Sequence, residues 1–270
     1  MKILLAQCAS VVGDPGLNLQ KIEAVFSKAD AEIVIFPEMF LSGYIPRDNL
    51  PALAEPIDGP TVSRLSTMCR DAGRSLIAGI PLKHPSVKGQ ITNSVVAIDE
   101  KGGVSRYDKT YLPTFGPFEE NLYFSPGSAA PVKELSTLRV GVVICYDLFF
   151  PELSKLLALQ GADLIVCVSA SPTATVVNFK KMMPARALEN ATYVAYVNLI
   201  GTHLDLVFGG ESGLVDPRGE VVVEAKPLAE DLVTGEIDIS KLEFARRMRP
   251  TLRDSRKEVF EAIINLKKFA

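Results

Sequence analysis

The stretch Leu138-Arg139-Val140-Gly141-Val142-Val143-Ile144-Cys145-Tyr146-Asp147-Leu148-Phe149-Phe150-Pro151-Glu152-Leu153-Ser154-Lys155-Leu156-Leu157-Ala158-Leu159-Gln160-Gly161 decides the fold. Leu138–Ile144 is apolar and β-branched almost throughout, the pattern of a strand buried on both faces. Pro151 suits a first helical turn, Leu153, Leu156 and Leu157 form one stripe, and Gly161 supplies the stop, which predicts a helix over 151–160. A second apolar run, Leu164–Ser169, follows at once. This is a βαβ unit.

The same rhythm runs outward in both directions. Ile3–Gln7, Ile33–Phe36 and Leu76–Ile80 read as strands, Asn18–Ala29 and Pro60–Asp71 as helices, with Gly73 closing the second. Ile91–Ile98 and Val104–Tyr107 read as a strand pair joined through Lys101-Gly102-Gly103. Beyond the opening stretch, helix Phe179–Glu189, strand Tyr193–Leu199 and strands near Ser212–Val215 and Glu220–Glu224 repeat the order of the first half. Each helix has one apolar face while the strands are apolar on both. Each half is therefore expected to be a sheet with helices outside and its other face against the partner sheet. The expected fold is α/β, a four-layer α-β-β-α sandwich with two internally duplicated halves. No linker separates them, so residues 1–270 are expected to form one domain, with 244–270 as a C-terminal arm. That arm carries Arg246, Arg247, Arg249, Arg253 and Arg256, interrupted by Asp254 and Glu258, and reads as a surface arm or subunit contact.

Composition narrows the function. Of 270 residues 47% are hydrophobic and 23% charged, and 29 basic against 32 acidic residues leave a net charge of −3, so no excess of positive charge calls for nucleic acid. No apolar run approaches a membrane span, and the opening MKILLAQ turns polar too early for a secretory leader, so a soluble cytoplasmic protein is expected. Cys8, Cys69, Cys145 and Cys167 form no CxxC pair, and His84 and His203 stand near no plausible co-ligand. Neither a metal nor a disulfide is expected.

Three polar positions stand where strands end, the place where open α/β sheets bind ligands. Glu38 follows Ile33-Val34-Ile35-Phe36-Pro37, and a carboxylate shielded there has the setting of a general base. Read alone, it is equally a local cap or ion-pair partner. Lys109 follows the last strand of the first half beside Asp108, where a surface ion pair is the plainer reading, although a fixed cation there also suits a developing oxyanion. Cys145 sits at the strand-turn-helix junction of the opening stretch, where nearby N–H groups and positive charge favour nucleophilic sulfur.

Phe36-Pro37-Glu38, Asp108-Lys109 with Leu112-Pro113, and Gly141-Val142-Val143-Ile144-Cys145-Tyr146-Asp147 with Phe150-Pro151-Glu152 together resemble the Glu, Lys and Cys blocks of the nitrilase superfamily of carbon–nitrogen hydrolases. The likeness extends through Arg186–Asn190, Gly209–Ser212 and Asp216–Gly219. It implies the same sandwich, assembled as homodimers or larger homo-oligomers, and a cofactor-free reaction. It further implies that Cys145 attacks an amide carbonyl, Glu38 takes the thiol proton and passes it to the departing amine, and Lys109 with the Tyr146 backbone N–H holds the oxyanion. A second glutamate is implied within Phe118-Glu119-Glu120; Glu120 is chosen, one position from Glu119.

Within the superfamily, Leu112–Glu120, Ser169-Ala170-Ser171-Pro172, Val197–Gly201 and Asp205–Phe208 look nearest to the glutaminase domains of glutamine-dependent NAD synthetases. Those enzymes carry a second, ATP-using domain, whereas this sequence ends at Ala270, so a free-standing amidase of small linear amides is expected. Tyr44, Phe115, Tyr146, Ser169 and Pro172 are the implied substrate-pocket residues. Three alternatives stand beside this reading: a nitrilase acting through the same thioester, a Cys145–His203 dyad, and a catalytically silent binding or assembly partner.

Overall fold

The computed structural model describes residues 1–128 and 131–266; the last four residues of the C-terminal arm, 267–270, lie outside the described residues. In the first half, β1 (Lys2–Gln7), α1 (Pro15–Lys28), β2 (Ile33–Ile35), α2 (Leu50–Leu53), α3 (Pro60–Ala72), β3 (Ser75–Lys83), β4 (Ile91–Ile98), β5 (Val104–Asp108) and α4 (Glu120–Tyr123) follow in order. In the second come β6 (Val132–Leu135), β7 (Leu138–Ile144), α5 (Pro151–Leu159), β8 (Leu164–Ser169), α6 (Thr173–Asn190), β9 (Tyr193–Asn198), β10 (Ile200–His203), β11 (Leu206–Gly209), β12 (Gly213–Val215), β13 (Val221–Glu224), β14 (Asp231–Glu236), α7 (Ile239–Met248) and α8 (Lys257–Ile264).

The strands form two six-stranded sheets, ordered β14-β1-β2-β3-β4-β5 and β13-β12-β9-β8-β7-β6, with β10 and β11 as a separate ribbon. In the first sheet β1, β2 and β3 run parallel and β4, β5 and β14 antiparallel to their neighbours. The second repeats this: β7, β8 and β9 are parallel, and β12, β13 and β6 antiparallel. The duplication includes an exchange. After β5 ends the first sheet, the chain crosses to lay β6 beside β7; after β13 ends the second, it returns to lay β14 beside β1. β14, from the second half, thus pairs along the β1 edge of the first sheet as β6 does along β7 in the second.

Strand alternation explains the layers, since neighbouring side chains point to opposite faces. Ile3, Leu5, Ile33, Ile35 and Ile77 share a buried cluster with Val140, Val142, Leu164, Val166 and Ala195 of the opposite sheet. Leu4, Ala6, Val34, Leu76 and Ala78 turn the other way, onto Ile22 and Phe26 of α1 and Val62, Leu65 and Cys69 of α3. Leu153 and Leu157 of α5 and Phe179, Met183 and Ala187 of α6 cover the second sheet. The expected α-β-β-α sandwich with two duplicated halves is the observed one.

Helix ends follow local chemistry. The Asp14 carboxylate accepts from Leu17 N–H at 2.9 Å and starts α1 at Pro15, earlier than the apolar periodicity indicates. Gly73, at φ 61°, ends α3 in the left-handed conformation that glycine adopts freely. Helix α6 begins at Thr173, six residues before the expected Phe179, because Val176 and Phe179 both bury against the core despite a β-branched opening of low helix propensity. No helix among the described residues is long and apolar enough to cross a membrane.

Gly235 of β14 marks how closely the exchanged strand approaches the other sheet: a Cβ there would stand 2.6 Å from Leu214 Cδ2 and 3.1 Å from Val223 Cγ1. Gly235→Val is expected to destabilise the protein by about 1–3 kcal/mol, the usual cost of overpacking, whereas Leu232→Ala on the exposed face should change little. Denaturant midpoints measured on both variants check this.

Candidate functional site

The carboxyl ends of β2, β7 and β8 and the chain leaving β5 meet at one end of the sandwich, bringing Glu38, Cys145, Ser169 and Lys109 together. Glu38 is fully buried. Its Oε1 accepts from Lys109 Nζ at 2.8 Å and Asn93 Nδ2 at 2.7 Å, and its Oε2 accepts from the Ala170 N–H at 2.8 Å. Residues from both sheets therefore hold one carboxylate. The loop that presents it lies flat on β3: the Gly79 N–H donates to Pro37 O, and the Gly79 carbonyl accepts from Leu41 N–H, both at 3.1 Å. A Cβ at Gly79 would stand 2.3 Å from Met39 N, so only glycine allows this approach.

Lys109 is 1% exposed and donates to Glu120 Oε1 at 2.6 Å as well as to Glu38. Burial pulls its ammonium toward neutrality, but the charges of Glu120 and Glu38 outweigh that and hold it well above the ordinary lysine value. Glu120 also accepts from the Tyr44 hydroxyl at 2.6 Å. Burial, reinforced by Glu38 and opposed by Lys109, pushes its carboxyl up to about 7. The site thus contains a buried cation between two carboxyl groups.

Cys145 begins a short 3-10 turn, Cys145–Phe149, with its own φ at 47°. Such a backbone costs about 1–3 kcal/mol in a non-glycine residue, and the turn is clamped at both ends. Asp147, fully buried, accepts from Ile144 N–H at 3.0 Å, Tyr111 N–H at 2.9 Å and the Tyr107 hydroxyl at 2.7 Å. Arg186 of α6 donates to the Leu148 and Phe149 carbonyls at 3.0 and 3.2 Å. Tyr107 and Tyr111 flank Lys109, so Asp147 also ties the lysine segment to the cysteine turn. The Cys145 thiol lies 3.6 Å from Ser171 Oγ, which shares a 2.6 Å hydrogen bond with Ser169 Oγ. Burial, with Glu38 adding and Lys109 subtracting, pushes the thiol up to about 12, so at neutral pH the sulfur carries its proton.

The residues named from the sequence fall into two groups. Glu38, Lys109, Glu120, Tyr44 and Ser169 surround the cysteine site directly. Phe115 and Tyr146 pack edge to face, with ring centroids 5.3 Å apart, and Pro172 stands at the start of α6 one residue past Ser171; none of the three lines the cavity beside the cluster. Glu119 is not part of the hydrogen-bonded cluster; Glu120 is. His203 is a different matter: its Nδ1 accepts from Tyr44 N–H and its Nε2 faces Ser10 O, both at 3.3 Å, and burial lowers its basicity. It supports the Tyr44 backbone, and the Cys145–His203 dyad is not formed.

Asn93, Asp147, Ser171 and Asn198 were not singled out from the sequence. Asn198 of β9 accepts from Ser171 N–H at 2.7 Å and returns a bond to its carbonyl at 3.1 Å, fixing the serine beside the thiol. Asn93 carried a legible signal, the one amide in the strand Ile91–Ile98, within a polar run Thr92-Asn93-Ser94 that breaks an otherwise apolar pattern. A cavity of about 250 Å³ opens beside the cluster, lined by Tyr44, Arg47, Phe118, Glu120, Leu204 and Leu206 among others.

With this geometry in place, the comparisons assign the class. The model of the carbon–nitrogen hydrolase family matches residues 2–247, and the chain belongs to that family, within the nitrilase superfamily. Its relatives include an (R)-stereoselective amidase of a Pseudomonas species, 34% identical over 260 residues that cover 95% of this chain and 92% of that one. The glutamine-dependent NAD(+) synthetase of Aquifex aeolicus is 32% identical over 254 residues, covering 92% of this chain but 44% of the synthetase. Among solved structures, a mutant of the amidase from Nesterenkonia sp. AN1, showing covalent addition of the acetamide moiety of fluoroacetamide at its active-site cysteine, superposes with a TM-score of 0.82 at 29% identity, covering 97% of this chain and 96% of that one.

Asn93→Ala removes one of the donors that hold Glu38. A hydrogen bond to a charged group is worth about 1.5–3 kcal/mol, so kcat/KM for the chain's substrate is expected to fall about 10- to 100-fold with the fold retained by circular dichroism. An unchanged rate would remove Asn93 from the site's working parts.

Proposed function

We propose that this carbon–nitrogen hydrolase cleaves a small linear amide to its carboxylic acid and ammonia through a thioester on Cys145. The observation that carries this reading is a buried thiol at the end of β7, beside Ser171, in the cluster where the Glu38 carboxyl is bound by the buried Lys109 amine. A neutral thiol needs a base at the moment of attack. Glu38 takes that proton as sulfur bonds to the carbonyl carbon, and the carbonyl π pair moves to oxygen. Lys109 Nζ and the Tyr146 backbone N–H stabilise the oxyanion. When the oxygen pair re-forms the carbonyl, the C–N bond breaks, the nitrogen takes the proton from Glu38, and ammonia leaves. Water then attacks the thioester, giving its proton to Glu38, and the acid departs as the thiol is restored.

Glu120 acts as the positioning group, holding Lys109 toward Glu38 while Tyr44 holds Glu120. Ser169 and Ser171 set the sulfur, and the aromatic pair of Phe115 and Tyr146, with Pro172, bounds the substrate. The substrate is a small molecule, in keeping with the amidases in the family. The same proposal includes self-assembly: α8 has no buried residue, and Val259, Ile263 and Ile264 on it are exposed, which supports the arm as a contact with a second copy.

Ammonia release from matched amide and nitrile pairs tests the reaction. Amides are expected to be turned over, Cys145→Ala to abolish turnover, and Lys109→Met to lower kcat by about 10²–10³, as for loss of one oxyanion donor. Turnover confined to nitriles, or a near-normal Lys109→Met rate, would overturn the proposal. Because proton removal accompanies attack, kcat/KM should stay flat from about pH 8 to about pH 10, above the Glu120 carboxyl at about 7 and below the thiol at about 12. A tenfold rise per pH unit would instead mean that a free thiolate, formed before substrate arrives, is the reacting species.

A further inference from the structure

The five arginines of the C-terminal segment are spread along the sequence, but the fold gathers three of them. Arg246, Arg249 and Arg253 line one cavity of about 220 Å³ together with Ala191, Pro250 and Leu252. It lies at the Ala191 end of α6, whereas Ser171 and the cysteine lie at the other end; an 18-residue helix separates them by about 27 Å. The cavity is therefore distinct from the hydrolase site.

Its arginines are fixed in place by bonds that leave donors over. Arg246 uses its terminal nitrogens on Asp163 Oδ1 at 3.0 Å and the Ala162 carbonyl at 2.6 Å, and Arg249 uses Nη2 on the Pro217 carbonyl at 3.1 Å. Among the described residues the Nε–H of each is buried and has no acceptor, and the Thr251 hydroxyl close in sequence is likewise buried without a partner. Buried polar groups are nearly always satisfied, so three such groups within one short segment leave donor capacity that none of the described residues takes up. Charge points the same way. Asp163 balances Arg246 and Asp254 balances Arg253, while Arg249 has no carboxylate partner among the described residues.

We propose that this cavity binds a small tetrahedral oxyanion of the phosphate class, free or as the phosphoryl group of a nucleotide, with Arg249 as its principal ligand. Guanidinium groups suit this anion because their planar N–H donors match its oxygens. The volume accommodates the anion with several waters, each taking about 30 Å³. The anion would join α7 and the segment after it to the end of α6, so its binding should stabilise the folded chain.

Thermal unfolding of the full chain, titrated with inorganic phosphate at constant ionic strength against sodium chloride, tests this. Wild type is expected to show a saturable rise in Tm with phosphate, as a ligand of the native state must produce. Arg249→Gln should lose that rise while keeping wild-type amide hydrolysis, and Arg247→Gln, which does not line the cavity, should keep it. If Arg249→Gln fails to fold, Arg253→Gln at the exposed rim should shift the phosphate midpoint upward at least threefold. A nucleoside monophosphate with a midpoint tenfold below that of phosphate assigns the phosphoryl source, and equal midpoints assign the free anion. No saturable response in wild type, an equal response in Arg249→Gln, or a change of oligomeric mass in the variants without any phosphate response would overturn the site.

Discussion

A lysine ammonium taken wholly out of water must be given negative charge, and the hydrolase end of this molecule is organised around that requirement. Lys109 lies between Glu38 and Glu120 with no exposed side-chain surface, and each contact is a short charge-assisted bond. Breaking such a cluster by removing one member leaves an uncompensated buried charge, which is far more costly than losing a surface pair. One cation between two carboxylates would still leave the cluster negative. Burial, with Lys109 opposing and Glu38 adding, pushes the Glu120 carboxyl up to about 7, which lowers the cost of placing a second carboxyl beside Glu38. Glu38, bound to Lys109, Asn93 and the Ala170 N–H, keeps an orientation set from both sheets.

The duplicated sandwich supplies that orientation. Glu38 and Lys109 come from the first sheet's end, Cys145 and Ala170 from the second's, and the return of β14 to pair with β1 ties the second half of the chain to the first sheet. The strained cysteine turn is stabilised by Asp147 below and Arg186 behind. The Arg186 and Asp147 contacts explain why motif residues that never touch the sulfur stand at fixed places around it. Backbone precision at the sulfur is the result.

Much of this was legible in the sequence because burial and periodicity coincide there. β1, β7, β8 and α5 announce themselves through unbroken apolar runs, a proline start and a glycine stop. The exchanged strands do not. Val132-Lys133-Glu134-Leu135 buries only its last residue, and Asp231–Glu236 buries only Gly235, so both are edge strands whose pairing is set by the partner sheet and not by their own composition. The opening of α6, Thr173-Ala174-Thr175-Val176-Val177, reads against a helix because its β-branched residues lose rotamer freedom there, and tertiary packing overrides the preference. At the site, Glu38, Lys109 and Cys145 were visible as polar interruptions at strand ends. Asn198 and Ser171 were not, since their positions matter only once β8 and β9 lie side by side.

In the proposed reaction the cluster lets a protonated sulfur attack an amide, and acid-quenched intact mass spectrometry of the protein incubated with an amide tests that event directly. The expected spectrum gains the acyl group in place of one hydrogen, the added mass maps to the peptide containing Cys145, and it is absent from Cys145→Ala. Acyl mass on any other residue, or steady ammonia production with no covalent species at any quench time, would contradict it.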